Sequence, residues 1–275
     1  MVAQITYNAE NPLKILSLGW GVQSWTLAAM AALGEIPKPD YAVHADTTHE
    51  MEGTYAHAKK WTPWLEERGV KVKTVQAKIT SPTSDSPGKY RIMMPAFTRD
   101  IATGESGQLN RQCTQDWKIA PLHRFARTVI SKTSPECVEM WMGISLDEWH
   151  RMKTSRQKYI KHVYPLVDRR LNRAYCVSWL EQHNLDIPPK SACTFCPYHN
   201  KESWKRLKQA GGSDWDEAVK NDQAIRHLGK GEGLKYEVFL HNAGLPLEEA
   251  VRIPEDYGAK QMELEMPCDS GHCFV

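Results

Sequence analysis

Residues 13–75 alternate between short apolar runs and longer amphipathic segments, and this alternation limits the folds open to the chain. The pattern predicts strands at 13–18, 41–45 and 70–75. It predicts helices at 24–33 and from about 54 to 68, each followed by a glycine. A strand–helix–strand–helix–strand order builds a parallel sheet with right-handed crossovers. The sequence therefore predicts an α/β fold, a parallel sheet with flanking helices.

The rest of the chain divides into a loop, a further sheet segment and a helical region. Residues 77–112 are rich in Ser, Pro, Thr and Gly and are predicted to form a long loop. A helix is predicted at 118–131 and a buried strand at 138–144, and the pattern becomes mostly helical from about residue 170. We expect a sheet domain at 1–170 and a helical, cysteine-containing region at 171–275, packed as one unit.

Composition and hydropathy exclude several classes of protein. The chain has 41% hydrophobic and 25% charged residues, typical of a soluble globular protein. No apolar run approaches the roughly 20 residues that span a bilayer, and the N-terminus lacks a basic-then-apolar signal pattern. We therefore expect a cytoplasmic location and no membrane partner. The formal net charge of +2 does not by itself indicate nucleic-acid binding.

The first predicted strand leads into the turn Gly19-Trp-Gly-Val-Gln-Ser24 at the start of a helix. Backbone N–H groups and the helix dipole make such a turn a site for a phosphate or sulfate. Gly19 and Gly21 would let the backbone approach an oxyanion, and Ser24 would add a hydroxyl donor. Glycines in such turns also occur for purely steric reasons.

Other polar residues follow two further predicted strands. Asp46-Thr47 follows the second strand, and Gly143-Ile-Ser145 follows the strand at 138–144. Ligands of open parallel sheets bind beyond the carboxyl ends of the strands. Asp46 is suited to accept a hydrogen bond from a ribose hydroxyl or an adenine amine, and equally suited to be a loop or helix-capping carboxylate.

Seven cysteines in a chain without an export signal indicate metal binding or redox chemistry more than a disulfide framework. Cys193 and Cys196 form a Cys-x-x-Cys pair, whose sulfurs can meet at one metal from a single loop. Cys137, at the start of an apolar strand, is interpreted as a buried core cysteine.

The stretch 151–173 contains eight lysines and arginines and one acid, Asp168. Three interpretations stay open. The cations could bind the anionic groups of a nucleotide. Together with Tyr159 and Tyr164, they could bind a nucleic acid through backbone contacts and base stacking. They could also form an ordinary solvated face.

Three blocks of sequence resemble successive motifs of the phosphoadenosine phosphosulfate (PAPS) reductase family, within the adenine nucleotide α-hydrolase (PP-loop) superfamily. The blocks are GWGVQS at 19–24, DTTHEMEGTY at 46–55 and CTQDWKIAPL at 113–122, and the resemblance spans residues 13–205. It implies a Rossmann-like sheet with ATP or a PAPS-like adenine nucleotide bound at the strand ends. The implied nucleotide contacts are Ser17, Gly19, Gly21, Gln23, Ser24, Asp46, Thr47 and Gly143. The implied contacts of the substrate anion are Arg151, Lys153 and Arg156.

The glycine turn departs from the family pattern Ser-Gly-Gly-x-Asp-Ser at three positions. Gly19 stands at the first Ser, Trp20 at a Gly and Gln23 at the Asp. The missing carboxylate argues against magnesium-assisted ATP cleavage, and Mg²⁺ stays an open cofactor. Gln23 also occurs in sulfonucleotide reductases and slightly favours a reductase-like site. Trp20 could stack on a base, narrow the pocket or pack beneath it.

The resemblance also implies a metal centre. Cys113 aligns with the family's cluster-binding block, and with Cys176, Cys193 and Cys196 it would give four thiolate ligands. Gln112 replaces one cysteine of the family's set, and Cys176 is the candidate fourth ligand. We favour a [4Fe-4S] cluster over zinc, which needs only the same four thiolates.

The C-terminal tail contains Cys268 and Cys273, with His272 beside the second. In sulfonucleotide reductases a near-terminal cysteine attacks the sulfonate, so both are candidate catalytic nucleophiles. A tail disulfide, additional metal ligands and an incidental exposed pair are the alternatives.

Two functions follow as expectations. The first is adenine-nucleotide-dependent sulfur chemistry assisted by an iron–sulfur cluster. It would be either sulfonucleotide reduction, with a thiol reductant as partner, or ATP-dependent adenylation followed by sulfur transfer. The second is a non-catalytic, zinc-stabilised nucleic-acid-binding or accessory protein with a vestigial nucleotide pocket. The sequence leaves the sulfur acceptor and the oligomeric state open.

Overall fold

The structure is a computed structural model and describes residues 6–78, 83–86, 89–100, 102–110, 112–130, 132–228 and 236–252. Within these ranges, none of the helices combines the length and the apolar character that a membrane crossing needs. The predicted catalytic cysteines, Cys268 and Cys273, lie outside the described residues.

The elements are named in chain order. The first half contains β1 (Leu13–Ser17), α1 (Val22–Leu33), β2 (Tyr41–Asp46), α2 (Glu52–Glu67), β3 (Val72–Gln76), β4 (Thr83–Ser86), β5 (Lys89–Ile92), β6 (Phe97–Arg99), β7 (Ser106–Gln108), a π-helix (Thr114–Ile119) and α3 (Ala120–Val129). The second half contains β8 (Val138–Trp141), a 3₁₀ helix (Leu146–Arg151), β9 (Ile160–Val163), α4 (Pro165–Asp168), α5 (Arg173–Gln182), α6 (Lys201–Ala210), α7 (Gly212–Ile225), β10 (Glu237–Phe239) and α8 (Leu247–Ala250).

A five-stranded parallel sheet forms the centre of the protein, which confirms the predicted fold class. Its spatial order is β3-β2-β1-β8-β9. Ile15 of β1 pairs with Tyr41 of β2 on one side and with Met140 of β8 on the other. The order reverses between β1 and β8, because the chain moves outward in one direction after β1 and in the other after β8. This position is the topological switch point, where ligands of open α/β sheets bind.

Helices cover both faces of the sheet. On one face α1 packs in an apolar cluster with residues of α2 and α5, such as Trp61 and Trp179. All residues of α1 except Leu33 are buried, so this helix is central to the core. On the other face Leu122 and Ala126 of α3 pack against β1 and β8. The division predicted at residue 170 stays a prediction, although α5, which follows it, packs in the same core cluster as α1.

The loop prediction for residues 77–112 is wrong in part. This stretch contains the β4–β5 hairpin and the strands β6 and β7, which join β10 in a three-stranded antiparallel sheet. The strand β9 inside the basic stretch was also missed. These strands are three or four residues long, too short for a clear alternation of polar and apolar residues.

Candidate functional site

A pocket of about 610 Å³, its open mouth included, lies at the carboxyl ends of β1 and β8. It therefore lies at the switch point of the sheet. The first turn of α1 forms one wall, and the segment 189–191 forms another. The lining residues are Ser17, Gly21, Val22, Gln23, Ser24, Met142, Gly143, Arg151, Arg173, Pro189, Lys190 and Ser191.

The N-terminus of α1 opens into this pocket. Gly21 is the N-cap and provides no side-chain acceptor, and no acidic residue stands in the first turn. Val22, Gln23 and Ser24, the first three helical residues, all line the pocket. The backbone N–H groups of a helix start and its dipole both favour a negatively charged ligand. The predicted glycine turn thus forms a wall suited to an anion.

Trp20 packs beneath the turn and does not enter the pocket. Its backbone adopts a left-handed conformation, with φ of 56°, and its side chain is 1% exposed. The indole lies 5.9 Å from the Trp25 ring and 5.8 Å from the His57 ring. A left-handed conformation is costly for a bulky residue, and burial of the indole offsets that cost. Of the three interpretations of Trp20, the structure supports packing in the core.

Gly143 lets the end of β8 approach the first turn of α1. A Cβ atom at this position would lie 2.9 Å from the Ser24 backbone nitrogen and 3.0 Å from its Cα atom. Such distances exclude any side chain without movement of the helix. The glycine is therefore required by close backbone contact at the pocket wall.

Three cationic side chains line the pocket: Arg151, Arg173 and Lys190. Arg173 donates a hydrogen bond of 2.9 Å to the Gln23 amide oxygen. None of the lining residues is acidic. The pocket therefore combines a helix N-terminus with side-chain positive charge.

Gln23 and Arg151 are both held by the carboxylate of Glu148. Gln23 donates to Glu148 Oε2 at 3.1 Å, and Arg151 Nη1 donates to the same oxygen at 2.7 Å. Burial raises the pKa of Glu148, and the Arg151 charge opposes this effect. Glu148 thus positions a lining amide and a lining guanidinium at once.

Two predicted anion contacts, Lys153 and Arg156, and three predicted nucleotide contacts, Gly19, Asp46 and Thr47, do not line this pocket. Lys153 and Arg156 are exposed and do not line the pocket, because the chain leaves the pocket edge after Arg151 toward β9. Asp46 accepts hydrogen bonds from Tyr55, from the Gln76 amide and from the Thr48 backbone N–H. Burial alone would raise the pKa of Asp46, yet these hydrogen bonds lower it. Thr47 is wholly buried, and its hydroxyl lies near Glu50 and Cys193.

A second, mostly apolar pocket contains three of the predicted metal-binding cysteines, Cys113, Cys193 and Cys196. The chain reaches it from the start of the π-helix and from the Cys-x-x-Cys loop. The other lining residues are Met94, Pro95, Thr114, Trp117, Lys118, Phe195, Pro197 and Tyr198. Sequence positions about 80 residues apart thus supply thiols to one pocket.

The Cys-x-x-Cys loop is fixed by backbone pairing with the segment after β2. Met51 N–H donates to the Ala192 carbonyl at 3.1 Å, and Thr194 N–H donates to the His49 carbonyl at 2.9 Å. Within the loop, Cys196 N–H donates to the Cys193 carbonyl at 3.1 Å. These bonds place Cys193 beside Thr47, at 3.4 Å between the hydroxyl oxygen and the sulfur.

A buried polar chain joins the two pockets. Lys118 of the π-helix donates to Glu50 at 3.0 Å, and their side chains are only 6% and 1% exposed. Ser191, at the edge of the pocket at β1 and β8, contacts the second Glu50 oxygen at 3.5 Å. Thr47 contacts both Glu50 and Cys193. π-Helical turns occur frequently at functional sites, and this turn places a buried lysine at the wall of the second pocket.

Cys176 does not belong to the cysteine pocket. It is wholly buried in the α1–α5 core, where it has Thr26 as a hydrogen-bonding neighbour. Burial raises its pKa to about 11. Its predicted role as the fourth metal ligand is wrong, because α5 packs the Cys176 side chain against α1 and not into the cysteine pocket.

The described residues do not fit the predicted four-thiolate centre. Across the described ranges, no group of three or more His, Cys, Asp or Glu side chains is arranged to hold a metal ion. Burial raises the pKa of the Cys193 thiol well above its usual range, and the Glu50 charge adds to this effect. The iron–sulfur cluster and zinc stay predictions.

No protein-family model matches the chain, and no curated protein matches it in sequence. Among solved structures, it is similar to phosphoadenylyl-sulfate (PAPS) reductase from Candida auris, crystallised as a phosphate complex. The two chains are 10% identical with a TM-score of 0.40, and the match covers 63% of this chain and 74% of the reductase. The likeness is distant, and the proposals below rest on the pockets themselves.

Sequence reasoning missed Arg173, Lys190 and Ser191 as lining residues, and Glu50 and Lys118 as the buried pair. Arg173 ends the basic stretch, and Lys190-Ser191 directly precedes Ala192 and the Cys-x-x-Cys pair. Glu50 and Lys118 lie inside two of the blocks on which the family resemblance rests. Their positions in those blocks were the sequence signal that could have identified them as site residues.

Proposed function

We propose that this chain binds an adenine nucleotide in the pocket between β1 and β8 and uses it in sulfur chemistry at the neighbouring cysteine pocket. The observation that carries the proposal is the position of the first pocket. It lies at the switch point of a parallel sheet, with the start of α1 as a wall. Phosphate groups of nucleotides bind at such positions in doubly wound folds.

The charge of the pocket supports an anionic ligand. Arg151, Arg173 and Lys190 line it without an acidic residue among the lining side chains. Guanidinium groups bind phosphate and sulfate oxygens through paired hydrogen bonds. Arg173 and Lys190 can therefore neutralise part of the ligand's negative charge, while the charge of Arg151 is already paired with Glu148.

The neighbouring thiols support sulfur chemistry as the use of the nucleotide. Cys113, Cys193 and Cys196 line the second pocket, and Ser191, Glu50 and Thr47 connect its wall to the nucleotide pocket. Sulfonucleotide reduction and ATP-dependent sulfur transfer both need an activated nucleotide near a thiol. The proposal covers this shared requirement and leaves the choice between the two reactions to experiment.

Calorimetric titration with ATP, adenylylsulfate and PAPS tests nucleotide binding. We expect at least one of them to bind, and Arg173→Gln and Lys190→Gln each to weaken it by about tenfold, since a charge-assisted hydrogen bond contributes about 1.5–3 kcal/mol. Arg156→Gln is the matched control, because Arg156 is exposed and outside the pocket. Absence of binding, or an equal loss in the control, contradicts the proposal.

A second assay separates the two reactions. Release of sulfite from PAPS in the presence of a dithiol indicates reduction, and release of pyrophosphate from ATP indicates adenylation. Cys193→Ala is expected to abolish sulfite release or sulfur transfer while nucleotide binding stays intact. Full sulfur chemistry in this variant contradicts the role of the cysteine pocket.

A further inference from the structure

The 3₁₀ helix beside the nucleotide pocket has two distinct rows of side chains. The backbone is kinked at Glu148, so the two rows are distinguished by their burial. Glu148 and Arg151 form the inward row and are 4% and 6% exposed. Leu146 and Trp149 of the helix and Met152, its C-cap, form the outward row and are 37%, 64% and 40% exposed. The short helix that supplies Arg151 to the pocket thus presents an apolar row outside it.

A further exposed aromatic residue lies on the neighbouring helix. The Asp147 carboxylate accepts a hydrogen bond from the Arg173 backbone N–H, which ties the 3₁₀ helix to the start of α5. Tyr175, in the first turn of α5, is 42% exposed. Four of the six exposed large hydrophobic residues among the described residues therefore lie on these two joined elements or directly after the first of them. The other two are Leu33 and Ile187.

Exposed cations flank this apolar row. Lys153 follows Met152, and Arg169 and Arg170 directly precede Leu171, whose carbonyl accepts from the Leu146 N–H at 2.8 Å. The stretch 151–173 contains eight basic residues and one acid. Arg151 and Arg173 of this stretch line the pocket instead. Beside the apolar row, the exposed cations Lys153, Arg169 and Arg170 outnumber the exposed acids Asp147 and Asp168, and such a positive surface favours a polyanionic partner.

The tyrosines of the basic stretch do not provide this aromatic surface. Tyr159 and Tyr164 are both 7% exposed. Arg127 donates to the Tyr159 hydroxyl, and Tyr164 donates to the Lys153 carbonyl. Trp149, at 64%, is the most exposed of the large hydrophobic residues among the described ranges, and Tyr175 is 42% exposed.

We propose that this surface binds single-stranded nucleic acid. A base stacks on Trp149, with Met152 and Tyr175 beside it, and Lys153, Arg169 and Arg170 contact the phosphates. Aromatic residues within a basic groove are the usual basis of single-strand binding. Because Arg151 lines the pocket two residues from Trp149, the bound strand lies beside the pocket mouth. This inference does not depend on the proposed nucleotide chemistry.

Fluorescence anisotropy with a labelled, mixed-sequence single-stranded RNA tests the surface. We expect binding that weakens with salt, and a loss of affinity of about fivefold or more in Trp149→Ala, because base stacking contributes about 1–3 kcal/mol per base. Trp149→Phe should retain most of the affinity. Leu33→Ala, which removes an exposed apolar residue from the end of α1, is the matched control and should bind normally.

Charge variants and competitors complete the test. Combined Arg169→Glu and Arg170→Glu substitutions should reduce the salt slope by about 0.7 per lost phosphate contact, while Lys59→Glu on α2 should leave it unchanged. Normal RNA affinity in Trp149→Ala overturns the proposal. So does equal competition by an RNA duplex of the same length or by polyglutamate, because stacking on Trp149 requires an unpaired base. Calorimetry with ATP reports separately on the nucleotide pocket, which Trp149 does not line.

Discussion

The Ser191 hydroxyl donates a 2.7 Å hydrogen bond to the Gly19 carbonyl, across 172 positions of sequence. The bond fastens the segment that precedes the Cys-x-x-Cys pair to the turn that precedes α1. The same hydroxyl lies 3.5 Å from Glu50. Ser191 is thus a point where the wall of the nucleotide pocket meets the polar chain leading to Cys193.

The substitution Ser191→Ala is expected to remove the hydrogen bond that joins these two segments. Loss of a buried hydrogen bond that leaves its acceptor unsatisfied costs about 1–3 kcal/mol, so the free energy of unfolding should fall by this amount and nucleotide affinity should fall with it. Urea unfolding and calorimetric titration measure the two effects. Ser178→Ala, at an exposed position on α5, is the control and should change neither.

Lys118→Met is expected to destabilise the protein strongly. The substitution leaves the Glu50 carboxylate buried without its ion-pair partner, and such changes cost about 3–5 kcal/mol. Lys60→Met is the control, because the Lys60–Asp186 pair is exposed and such pairs contribute about 0–1 kcal/mol. Similar urea midpoints for the two variants would contradict a structural role for the buried pair.

The substitution His57→Phe is expected to reduce the loss of unfolding free energy that occurs as the pH falls below neutrality. Burial lowers the pKa of His57 to about 4, although the Asp186 charge opposes the shift. Because the unfolded histidine titrates near 6.5, the unfolded state binds more protons between these values, and stability falls as pH drops through this window.

The size of the His57 effect follows from the same linkage. Between neutral pH and about pH 5, this residue accounts for a loss of about 2 kcal/mol, which the variant should not show. The phenyl ring can keep the edge contacts with Trp20 and Trp25. Urea unfolding at both pH values measures the difference, and an unchanged pH dependence in His57→Phe would be the contrary result.

Gly143→Ala is expected to displace the first turn of α1. Its Cβ would lie 2.9 Å from the Ser24 nitrogen, and overpacking of this kind costs about 1–3 kcal/mol. Thermal unfolding should show a lower midpoint, and nucleotide affinity should fall because the helix N-terminus moves. Gly21→Ala is the stability control, since its Cβ would make an ordinary 3.9 Å contact with Ser191. Equal stability of Gly143→Ala and the natural sequence would refute the close approach.

The sequence contained enough local information for four of the five strands of the central sheet and for one wall of each pocket. Apolar periodicity predicted β1, α1, β2, α2 and β3 to within a few residues. The residues Gly21, Gln23, Ser24 and Gly143 were assigned to one pocket because their motifs follow strand ends, and the structure brings them together. The parallel sheet explains this success, since the carboxyl ends of its strands meet at one edge.

The remaining site residues depend on tertiary contacts that no local pattern reports. Cys176 was grouped with the other cysteines by residue type, but α5 places it against α1. Arg156 belongs to the same basic stretch as Arg173, and only the fold shows which of the two reaches the pocket. The sequence likewise does not show that Tyr159 is buried and Trp149 exposed, and this difference decides which ring is accessible to a ligand.

The residues that line the proposed nucleotide pocket come from three separate parts of the chain: 17–24, 142–173 and 189–191. On the ribosome, the first part emerges long before the last. The binding site cannot be complete until residue 191 has been synthesised. During synthesis, a ligand can therefore meet a complete pocket only after every strand of the central sheet, the last of which ends at Val163, has emerged.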